Sequence, residues 1–201
     1  MKYAFNGMDD ILAKYLRKDS GFFVDIGAHD GIAGSNSKYL EEKGWDGICI
    51  EANPDVFKKL KENRKCRTEN FAVWKEDVDL DFLVVTGYPE QLSGIVESYD
   101  PRHLNRVDRE IAIHKGSKRI ERIQGRKFDT IVDHRKVDFL SVDTEGSELQ
   151  ILMAIDFDNN DITVICVENN FNDPQIPQFL TSKGYYFKET VAGCDQIFAK
   201  N

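Results

Sequence analysis

Carboxylates and glycines gather where two short apolar runs of this 201-residue sequence end. The run Phe22–Ile26 leads into Gly27 and Gly31, and a second run, 47–50, ends at Glu51. Gly27 and Gly31 allow the backbone to turn tightly and to approach a ligand closely. The Glu51 carboxylate can accept hydrogen bonds from both hydroxyls of a ribose. If the two runs are parallel strands, these residues meet at one edge of the sheet and predict a nucleoside-binding site.

The spacing of the glycines distinguishes two nucleoside cofactors. A dinucleotide site needs G-x-G-x-x-G, whereas the sequence has D-x-G-x-x-x-G from Asp25 to Gly31. Asp25 and Asp30 flank the turn, where carboxylates would repel a pyrophosphate but suit the ammonium group of S-adenosylmethionine. The pattern therefore favours S-adenosylmethionine, and an NAD-dependent oxidoreductase is the alternative from another enzyme class.

A second group of acids follows a third apolar run. Asp143 ends the run that begins at 139, and Glu145 and Glu148 come next, a spacing that predicts two carboxylates on one face of a helix. Methyl transfer needs in-line alignment and removal of the acceptor's proton, so Asp143, Glu145 and His103 are the candidate catalytic residues. Glu148 more simply stabilises the start of the helix. Mg²⁺ is a candidate cofactor that we do not favour, because no octahedral ligand set is evident, and we predict no metal ligand.

A basic stretch lies in a chain of net charge −8. Between Tyr99 and Lys127 there are nine lysines and arginines and four acids, and the cations from Arg102 to Arg122 are close to helical spacing. Such a stretch is either a solvated surface or a lid that binds an anionic acceptor, because arginine binds phosphate bidentately. An RNA methyltransferase, or any nucleic-acid partner, is less favoured, since no aromatic-rich RNA-binding module is evident. The predicted acceptor-binding residues are Ser93, Tyr99, Arg106, Arg109, Glu168 and Asn169.

Strand-like runs alternate with helix-like segments along the chain, which predicts βαβ units and a parallel sheet. The last two runs, 185–189 and 195–199, are joined around Gly193 and must be antiparallel. We therefore predict an α/β fold with a doubly wound, mostly parallel seven-stranded sheet and an antiparallel C-terminal hairpin. The chain, 1–201, is predicted to be a single domain with a basic insert or lid at about 88–127. The other predicted strands are 22–26, 47–51, 66–73, 80–86, 139–143 and 162–168, and the predicted helices are 9–18, 37–43, 54–63, 128–132, 147–155 and 175–183.

Cysteine usage and hydropathy bear on location. The four cysteines are widely spaced and form no C-x-x-C pair, which fits a reducing compartment and argues against a zinc site. Residues 1–16 lack the apolar core of a signal peptide, and the longest apolar runs, such as 162–167, are too short to span a bilayer. We expect a soluble, cytoplasmic protein with no membrane span.

Four blocks of the sequence are distinctive when taken together. They are FVDIGAHDG at 23–31, CIEANP at 49–54, NFAV at 70–73 and, most diagnostic, LSVDTEGSE at 140–148. Over about 22–198 the sequence resembles the FkbM family of S-adenosylmethionine-dependent methyltransferases. The resemblance implies the Rossmann-like class I methyltransferase fold and transfer to oxygen, commonly on a sugar or a hydroxylated natural product. It also implies that Glu51 holds the ribose and that residues near Phe71 and Ala72 border the adenine.

These observations predict an S-adenosylmethionine-dependent O-methyltransferase. Its expected acceptor is a small hydroxylated molecule such as a sugar, a nucleotide sugar or a glycan precursor, with an anionic acceptor as one option. A non-catalytic nucleoside-binding protein is a further alternative. The predicted cofactor-binding residues are Asp25, Gly27, Ala28, Asp30, Gly31, Glu51, Ala52, Asn70, Phe71, Ala72 and Asp143.

Overall fold

A seven-stranded sheet forms the centre of the fold in the computed structural model, which describes residues 3–200. The strands are β1 (Phe22–Ile26), β2 (Asp46–Ile50), β3 (Arg67–Glu69), β4 (Ala72–Val73), β5 (Asp79–Thr86), β6 (Gly94–Ile95), β7 (Ser117–Arg126), β8 (Val137–Val142), β9 (Ile162–Glu168), β10 (Tyr186–Val191) and β11 (Asp195–Ala199). The α-helices are α1 (Met8–Tyr15), α2 (Lys38–Glu42), α3 (Pro54–Asn63), α4 (Pro101–His114), α5 (Phe128–Val132), α6 (Glu148–Ala154) and α7 (Gln175–Ser182).

The central sheet has the strand order β3–β2–β1–β8–β9–β11–β10. The first five strands in this order are parallel, β11 is antiparallel to β9, and β10 is antiparallel to β11. From β1 the chain adds strands outward to β3, and it later returns to add β8 on the other side of β1. The predicted doubly wound, mostly parallel seven-stranded sheet with an antiparallel C-terminal hairpin is confirmed. Its switch point, where a ligand is expected, lies between β1 and β8.

Helices cover both faces of the central sheet. In β1, Phe22, Val24 and Ile26 face a hydrophobic cluster that includes side chains of α5, α6 and α7. Phe23 faces the opposite cluster, to which α1, α2 and α3 contribute. A strand whose two faces are both buried is apolar at successive positions. This explains why β1 is apolar at every position except Asp25 and does not alternate between apolar and polar residues.

Strands from the middle of the chain form a second sheet with the order β4–β7–β5–β6. β5 and β7 are antiparallel and pair from Asp79↔Gln124 to Thr86↔Ser117. The predicted strand at 66–73 is therefore wrong as one element, because β3 belongs to the central sheet and β4 to the second sheet. The basic insert predicted at about 88–127 supplies β6, α4 and β7 to this region.

The expected helical run of cations from Arg102 to Arg122 is also wrong in its second half. α4 ends at His114, and Lys115 adopts a left-handed φ of +55° that terminates the helix. From Ser117 the chain is extended, because β7 pairs with β5 along its length. The cations of this stretch therefore lie on two different elements.

Two helices that border the site start with the same kind of N-cap, followed by a proline. At α3 the side chain of Asn53 accepts a hydrogen bond from the Asp55 amide, and Pro54 occupies the first helical position. At α4 Asp100 caps the Arg102 amide in the same way, with a proline first in the helix. Such caps fix where a helix begins, because they satisfy an amide that has no partner inside the helix.

Within residues 3–200, no helix is long and apolar enough to cross a membrane. The longest helix, α4, has 14 residues and several charged side chains.

Candidate active site

A cavity of about 520 Å³ lies at the carboxyl ends of the central strands. We call it the cofactor cleft. Its walls come from the ends of β1, β2, β8 and β9, where connections diverge to opposite faces of the sheet. Of the predicted cofactor-binding residues, the cleft is lined by Asp25, Gly27, Ala28, Glu51, Ala52, Phe71, Ala72 and Asp143.

Glu51 lies immediately beyond β2 with a fixed carboxylate. Its Oε2 accepts from the His29 amide at 2.9 Å, and its Oε1 accepts from the Asn53 amide at 2.7 Å. Burial raises the pKa of Glu51 to about 7, although the two amides act in the opposite direction. Each carboxylate oxygen keeps a lone pair. The side chain can therefore accept two ligand hydroxyls without moving.

An apolar wall adjoins Glu51 in the cofactor cleft. Ala52, Phe71 and Ala72 contribute to it, together with Val73 and Ile95. A planar base can pack against such a wall while its ribose reaches the carboxylate. The positions of these residues agree with an adenosine whose ribose hydroxyls bind Glu51.

Three predicted cofactor residues lie outside the cleft lining and have local roles. Asp30 accepts from the amides of Ile32 and Ala33 and so closes the turn after β1. Gly31 has a φ of +78° and packs against α3. Asn70 donates to the Glu51 and Ala52 carbonyls at 2.8 and 3.2 Å. These residues fix the backbone of the loops that form the cleft and do not line the cleft themselves.

Asp25 lies at the floor of the cleft inside a buried polar network that sequence reasoning missed. Ser37 Oγ donates to Asp25 Oδ2 and accepts from Arg64 Nη2 at 3.0 Å. Arg64 Nε in turn lies 3.1 Å from Glu41 Oε2, and the Arg64 side chain is fully buried. Burial raises the pKa of Asp25, and the nearby guanidinium opposes that shift. Asp25 therefore joins β1 to α2 and α3 as well as facing the cleft.

Carboxyl groups dominate the far side of the cleft. Asp143, Glu145 and Glu168 line it, together with Asp195, which the sequence did not single out. Burial raises the pKa of Asp143 and Glu168 well above the usual range, and the neighbouring carboxylates add to the shift. Asp143 and Glu168 lie close enough for each to affect the pKa of the other. Asp195 pairs with Glu168 in the β9–β11 register, and burial raises its pKa to about 6.

Glu145 is not on a helix, which corrects the sequence prediction. α6 begins only at Glu148, and Glu145 lies in the preceding loop with a left-handed φ of +58°. Burial raises its pKa to about 7, although Arg106 lowers it. Its Oε2 lies 3.3 Å from Arg106 Nη1 and 3.5 Å from His103 Nδ1.

Glu148 holds the loop that carries Glu145. Its Oε1 accepts from the Thr144 amide at 2.8 Å, from Thr144 Oγ1 at 2.9 Å and from the Gly146 amide at 3.0 Å. A carboxylate that accepts three hydrogen bonds fixes the loop backbone. The hydrogen bonds of Glu148 therefore serve the loop between β8 and α6.

The structure separates the predicted acceptor residues. Ser93 lines the cofactor cleft, but its hydroxyl binds Asn53 and the backbone of Val85. A second cavity, described below, is lined by Tyr99, Glu168 and Asn169. Arg106 contacts Glu145, whereas Arg109 pairs with its neighbour Glu110 and lies away from both cavities.

Acids neutralise much of the basic stretch. Arg102 pairs with Asp100, Lys118 with Asp108, Arg119 with Asp55 and Glu121, and Arg122 with Asp81. Most of these pairs are exposed, where water and salt screen them, so each contributes little to stability. The solvated-surface interpretation fits these residues better than a basic lid.

The cleft fits S-adenosylmethionine by its chemistry. Four clustered carboxyl groups favour a cationic ligand, and that molecule carries sulfonium and ammonium charges. Glu51 and the apolar wall beside it match the adenosine. Among residues 3–200, no group of three or more His, Cys, Asp or Glu side chains is placed to hold a metal ion.

Residues 25–187 match the sequence model of the methyltransferase FkbM domain. No protein in a search of curated sequences matches significantly. Similar solved structures include a TehB-like SAM-dependent methyltransferase from Corynebacterium glutamicum (12% identity, 98% of this chain and 89% of that chain, TM-score 0.46). A second is precorrin-6y C5,15-methyltransferase from Geobacter metallireducens (14% identity, 96% of this chain and 87% of that chain, TM-score 0.49). A third is TehB from Haemophilus influenzae (12% identity, 96% of this chain and 62% of that chain, TM-score 0.45). These structural likenesses are too low to assign an acceptor.

Proposed function

The chain belongs to the FkbM methyltransferase family and is an S-adenosylmethionine-dependent methyltransferase, and from that premise we propose that it methylates a hydroxyl oxygen of a small acceptor. The acceptor is a sugar, a nucleotide sugar or a glycan precursor. The observation that carries the proposal is the buried carboxyl group of Glu145, which lines the same cleft as Glu51 and can take the proton of a hydroxyl.

The chain's own residues have distinct roles towards the cofactor. Glu51 binds the ribose hydroxyls, and Ala52, Phe71 and Ala72 border the adenine. Asp143 and Glu168 face the cationic end of the molecule. When bound, S-adenosylmethionine supplies a methyl group activated by a sulfonium. The protein then has to align the acceptor, exclude water and remove one proton.

The side chains at the far end of the cleft suit proton removal from a hydroxyl. A general base works best when its pKa is close to the working pH. Burial raises the pKa of Glu145 to about 7, and Glu145 lines the cleft. Asp143, whose pKa burial raises further, and His103 are the other candidate catalytic residues.

The cytoplasmic location expected from the sequence is part of this proposal. Cys49 and Cys166 are buried free thiols. A buried reduced cysteine packs as a small hydrophobic residue and suits a reducing compartment.

The alternative functions have less support. An NAD-dependent oxidoreductase conflicts with the family match and with a cleft rich in carboxyl groups, which would repel a pyrophosphate. A non-catalytic nucleoside-binding protein has no need of Glu145 in a left-handed conformation beside Arg106. An RNA methyltransferase would need cations free for phosphates, yet acids pair with Arg102, Arg119 and Arg122.

Calorimetry and labelled methyl transfer test the proposal. We expect S-adenosylhomocysteine to bind the wild-type protein and Glu51→Ala to weaken that binding about tenfold to a hundredfold, because hydrogen bonds to a charged group are lost. Glu62→Ala, at an exposed position of α3, is the matched control. Labelled methyl transfer into sugars, nucleotide sugars and glycolipids then identifies the acceptor. Equal affinity of the wild-type and Glu51→Ala proteins would overturn the assignment of Glu51 to the ribose.

A further inference from the structure

A second cavity adjoins the cofactor cleft. It has a volume of about 450 Å³ and lies between the start of α4, the loop before α6 and the segment that leads from β9 into α7. Glu145 and Glu168 line both cavities. A molecule in the second cavity and a methyl donor in the cofactor cleft would therefore meet at these two side chains.

The walls of the second cavity carry a strong excess of acids. Five acidic side chains and one arginine line it. That arginine, Arg102, is already neutralised by Asp100, with two contacts of 2.9 and 2.8 Å. Its guanidinium also lies 4.1 Å from the ring centre of Phe171 and so joins α4 to the opposite wall. These lining residues include no free cation for a phosphate or carboxylate, so the cavity disfavours an anionic ligand. Three of the acids already have partners, Asp100 in Arg102, Glu145 in Arg106 and Glu148 in the loop amides, so little unpaired negative charge is left to attract a cation.

One buried polar atom in this wall lacks a partner. His103 is 1% exposed and lines the second cavity, and its Nδ1 has no hydrogen-bond partner. Its Nε2 lies 3.5 Å from the Leu92 carbonyl, which can only accept, so Nε2 carries the proton and Nδ1 holds a lone pair. Nδ1 faces Glu145 Oε2 at 3.5 Å. Tyr99 stacks on the ring, and Arg106 and Asp100 are the nearby charges.

Glu145 is held on one side only. Arg106 Nη1, His103 Nδ1 and Asn170 Nδ2 all approach Oε2, at 3.3, 3.5 and 3.5 Å. These contacts leave Oε1 available to a ligand at the junction of the two cavities. The left-handed backbone at Glu145 is unfavourable by about 1–2 kcal/mol for a residue with a side chain. Strain of this kind persists where the surroundings impose it, commonly at functional sites.

We propose that the second cavity binds an uncharged polyhydroxylated ring, such as a sugar, and that Glu145 Oε1 takes the proton of the hydroxyl that is methylated. This inference rests on the proposed function and narrows it, because it excludes an anionic group on the ring that enters the cavity. The acceptor oxygen forms a bond to the methyl carbon as the carbon–sulfur bond of S-adenosylmethionine breaks. The electron pair stays on sulfur, which gives S-adenosylhomocysteine, and the hydroxyl proton passes to Glu145.

His103 and Arg106 act through Glu145 as positioning residues. Arg106 holds Oε2 with a charged contact, which turns Oε1 towards the junction. His103 presents a lone pair to the same oxygen, which disfavours the ionised carboxylate and so favours proton uptake at Oε1. Burial lowers the pKa of His103, so the ring stays neutral and keeps this lone pair on Nδ1.

Binding to the protein loaded with S-adenosylhomocysteine tests the cavity. Methyl glycosides of glucose, galactose, mannose and rhamnose are titrated in a calorimeter, alongside the corresponding sugar phosphates. Gln175→Trp fills the second cavity, and Gln178→Trp, three residues later on the exposed face of α7, is the matched control. We expect at least one uncharged glycoside to bind, and Gln175→Trp alone to weaken it about tenfold or more, which corresponds to 1.4 kcal/mol.

Each outcome of the titration bears on a separate claim. No binding of S-adenosylhomocysteine would refute the proposed function itself. Binding of S-adenosylhomocysteine without any uncharged glycoside at millimolar concentration would overturn only the present inference. Tighter binding of a sugar phosphate than of its uncharged counterpart would also overturn the present inference. Equal glycoside affinity of the Gln175→Trp and Gln178→Trp proteins would overturn it as well.

Variants at the junction test the roles of Glu145 and His103. Glu145→Gln should retain glycoside binding but lower kcat by about 10²–10⁴-fold and abolish the acidic limb of the pH profile near 7. His103→Phe should lower kcat, leave KM unchanged and move that limb, and His103→Asn should restore part of the loss. A His103→Phe protein with altered stability but an unmoved limb would show that His103 is only structural. An unchanged limb in Glu145→Gln would assign the base elsewhere.

Discussion

Gly27 and Asp143 pack so closely that a β-carbon on residue 27 would lie 1.6 Å from the Asp143 carbonyl oxygen. Gly27 directly follows β1, and Asp143 directly follows β8, the neighbour of β1 in the sheet. The contact joins the two strand ends between which the fold places its switch point. The atom that occupies this space belongs to the backbone, so rotation of a side chain cannot remove the clash.

Gly27→Ala should therefore destabilise the protein by more than the cost of placing alanine in a left-handed conformation. Gly44→Ala is the matched control, because Gly44 has a φ of +88° but nothing lies within 4 Å of the place that a β-carbon would occupy. We expect Gly44→Ala to be destabilising by about 1–2 kcal/mol, the cost of a left-handed conformation for a residue with a β-carbon. Gly27→Ala should be destabilising by several-fold more, with loss of S-adenosylhomocysteine binding. Urea unfolding and calorimetry measure the two effects. Equal losses of stability in the two variants would contradict the packing argument.

The pKa of Glu51 predicts how the stability of the ligand-free protein varies with pH. Burial raises that pKa from 4.5 to about 7, so the folded state binds a proton that the unfolded state releases between these values. Stability should therefore fall as pH rises from about 4.5 to about 7, by at most on the order of 3 kcal/mol from this group. Glu51→Gln removes the titration. The difference in unfolding free energy between the two proteins should change over this window, and a constant difference would contradict the prediction.

The sequence predicted strand ends better than side-chain directions. Gly27, Glu51 and Asp143 reach the cleft because each follows a continuous apolar run that could only be a buried strand. Asp30 and Asn70 belong to the same motifs, yet their side chains bind nearby backbone groups. Residue type and spacing do not distinguish a polar side chain that binds a ligand from one that builds the loop beside it.

Contacts between distant segments were beyond the reach of the sequence patterns. Arg64 directly follows α3 and meets Glu41 of α2 only because both helices pack on the same face of the sheet. Asp195 reaches the cleft through its antiparallel register with Glu168. The C-terminal hairpin was predicted from the sequence, but its pairing with β9, which places Asp195 beside Glu168, was not. The split between β3 and β4 had no local signal, since both are short and lie in one weakly apolar segment.

Glu148 should matter for turnover through the loop that carries Glu145. Glu148→Ala leaves the amides of Thr144 and Gly146 without their acceptor, which we expect to be destabilising by about 1–3 kcal/mol. Met153→Ala, at an exposed position of α6, is the control and should change stability little. We also expect kcat to fall more than the affinity for S-adenosylhomocysteine, because Glu51 is untouched. Unchanged kcat in a folded Glu148→Ala protein would show that the loop is held by other contacts.

Arg64 should be the most important cation for stability. Its side chain is fully buried, and its removal leaves the buried Asp25 beside no guanidinium, while Glu41 keeps only its ion pair with Lys38 and its backbone amides. Breaking a buried ion pair by removing one partner is destabilising by about 3–5 kcal/mol. Arg67→Ala is the comparison, because Arg67 pairs with Glu69 near the surface and should contribute only about 0–1 kcal/mol. Urea unfolding of the two variants measures the contrast, and a loss below 1 kcal/mol in Arg64→Ala would show that Lys38 suffices for Glu41 and that Asp25 needs no cation in the folded protein.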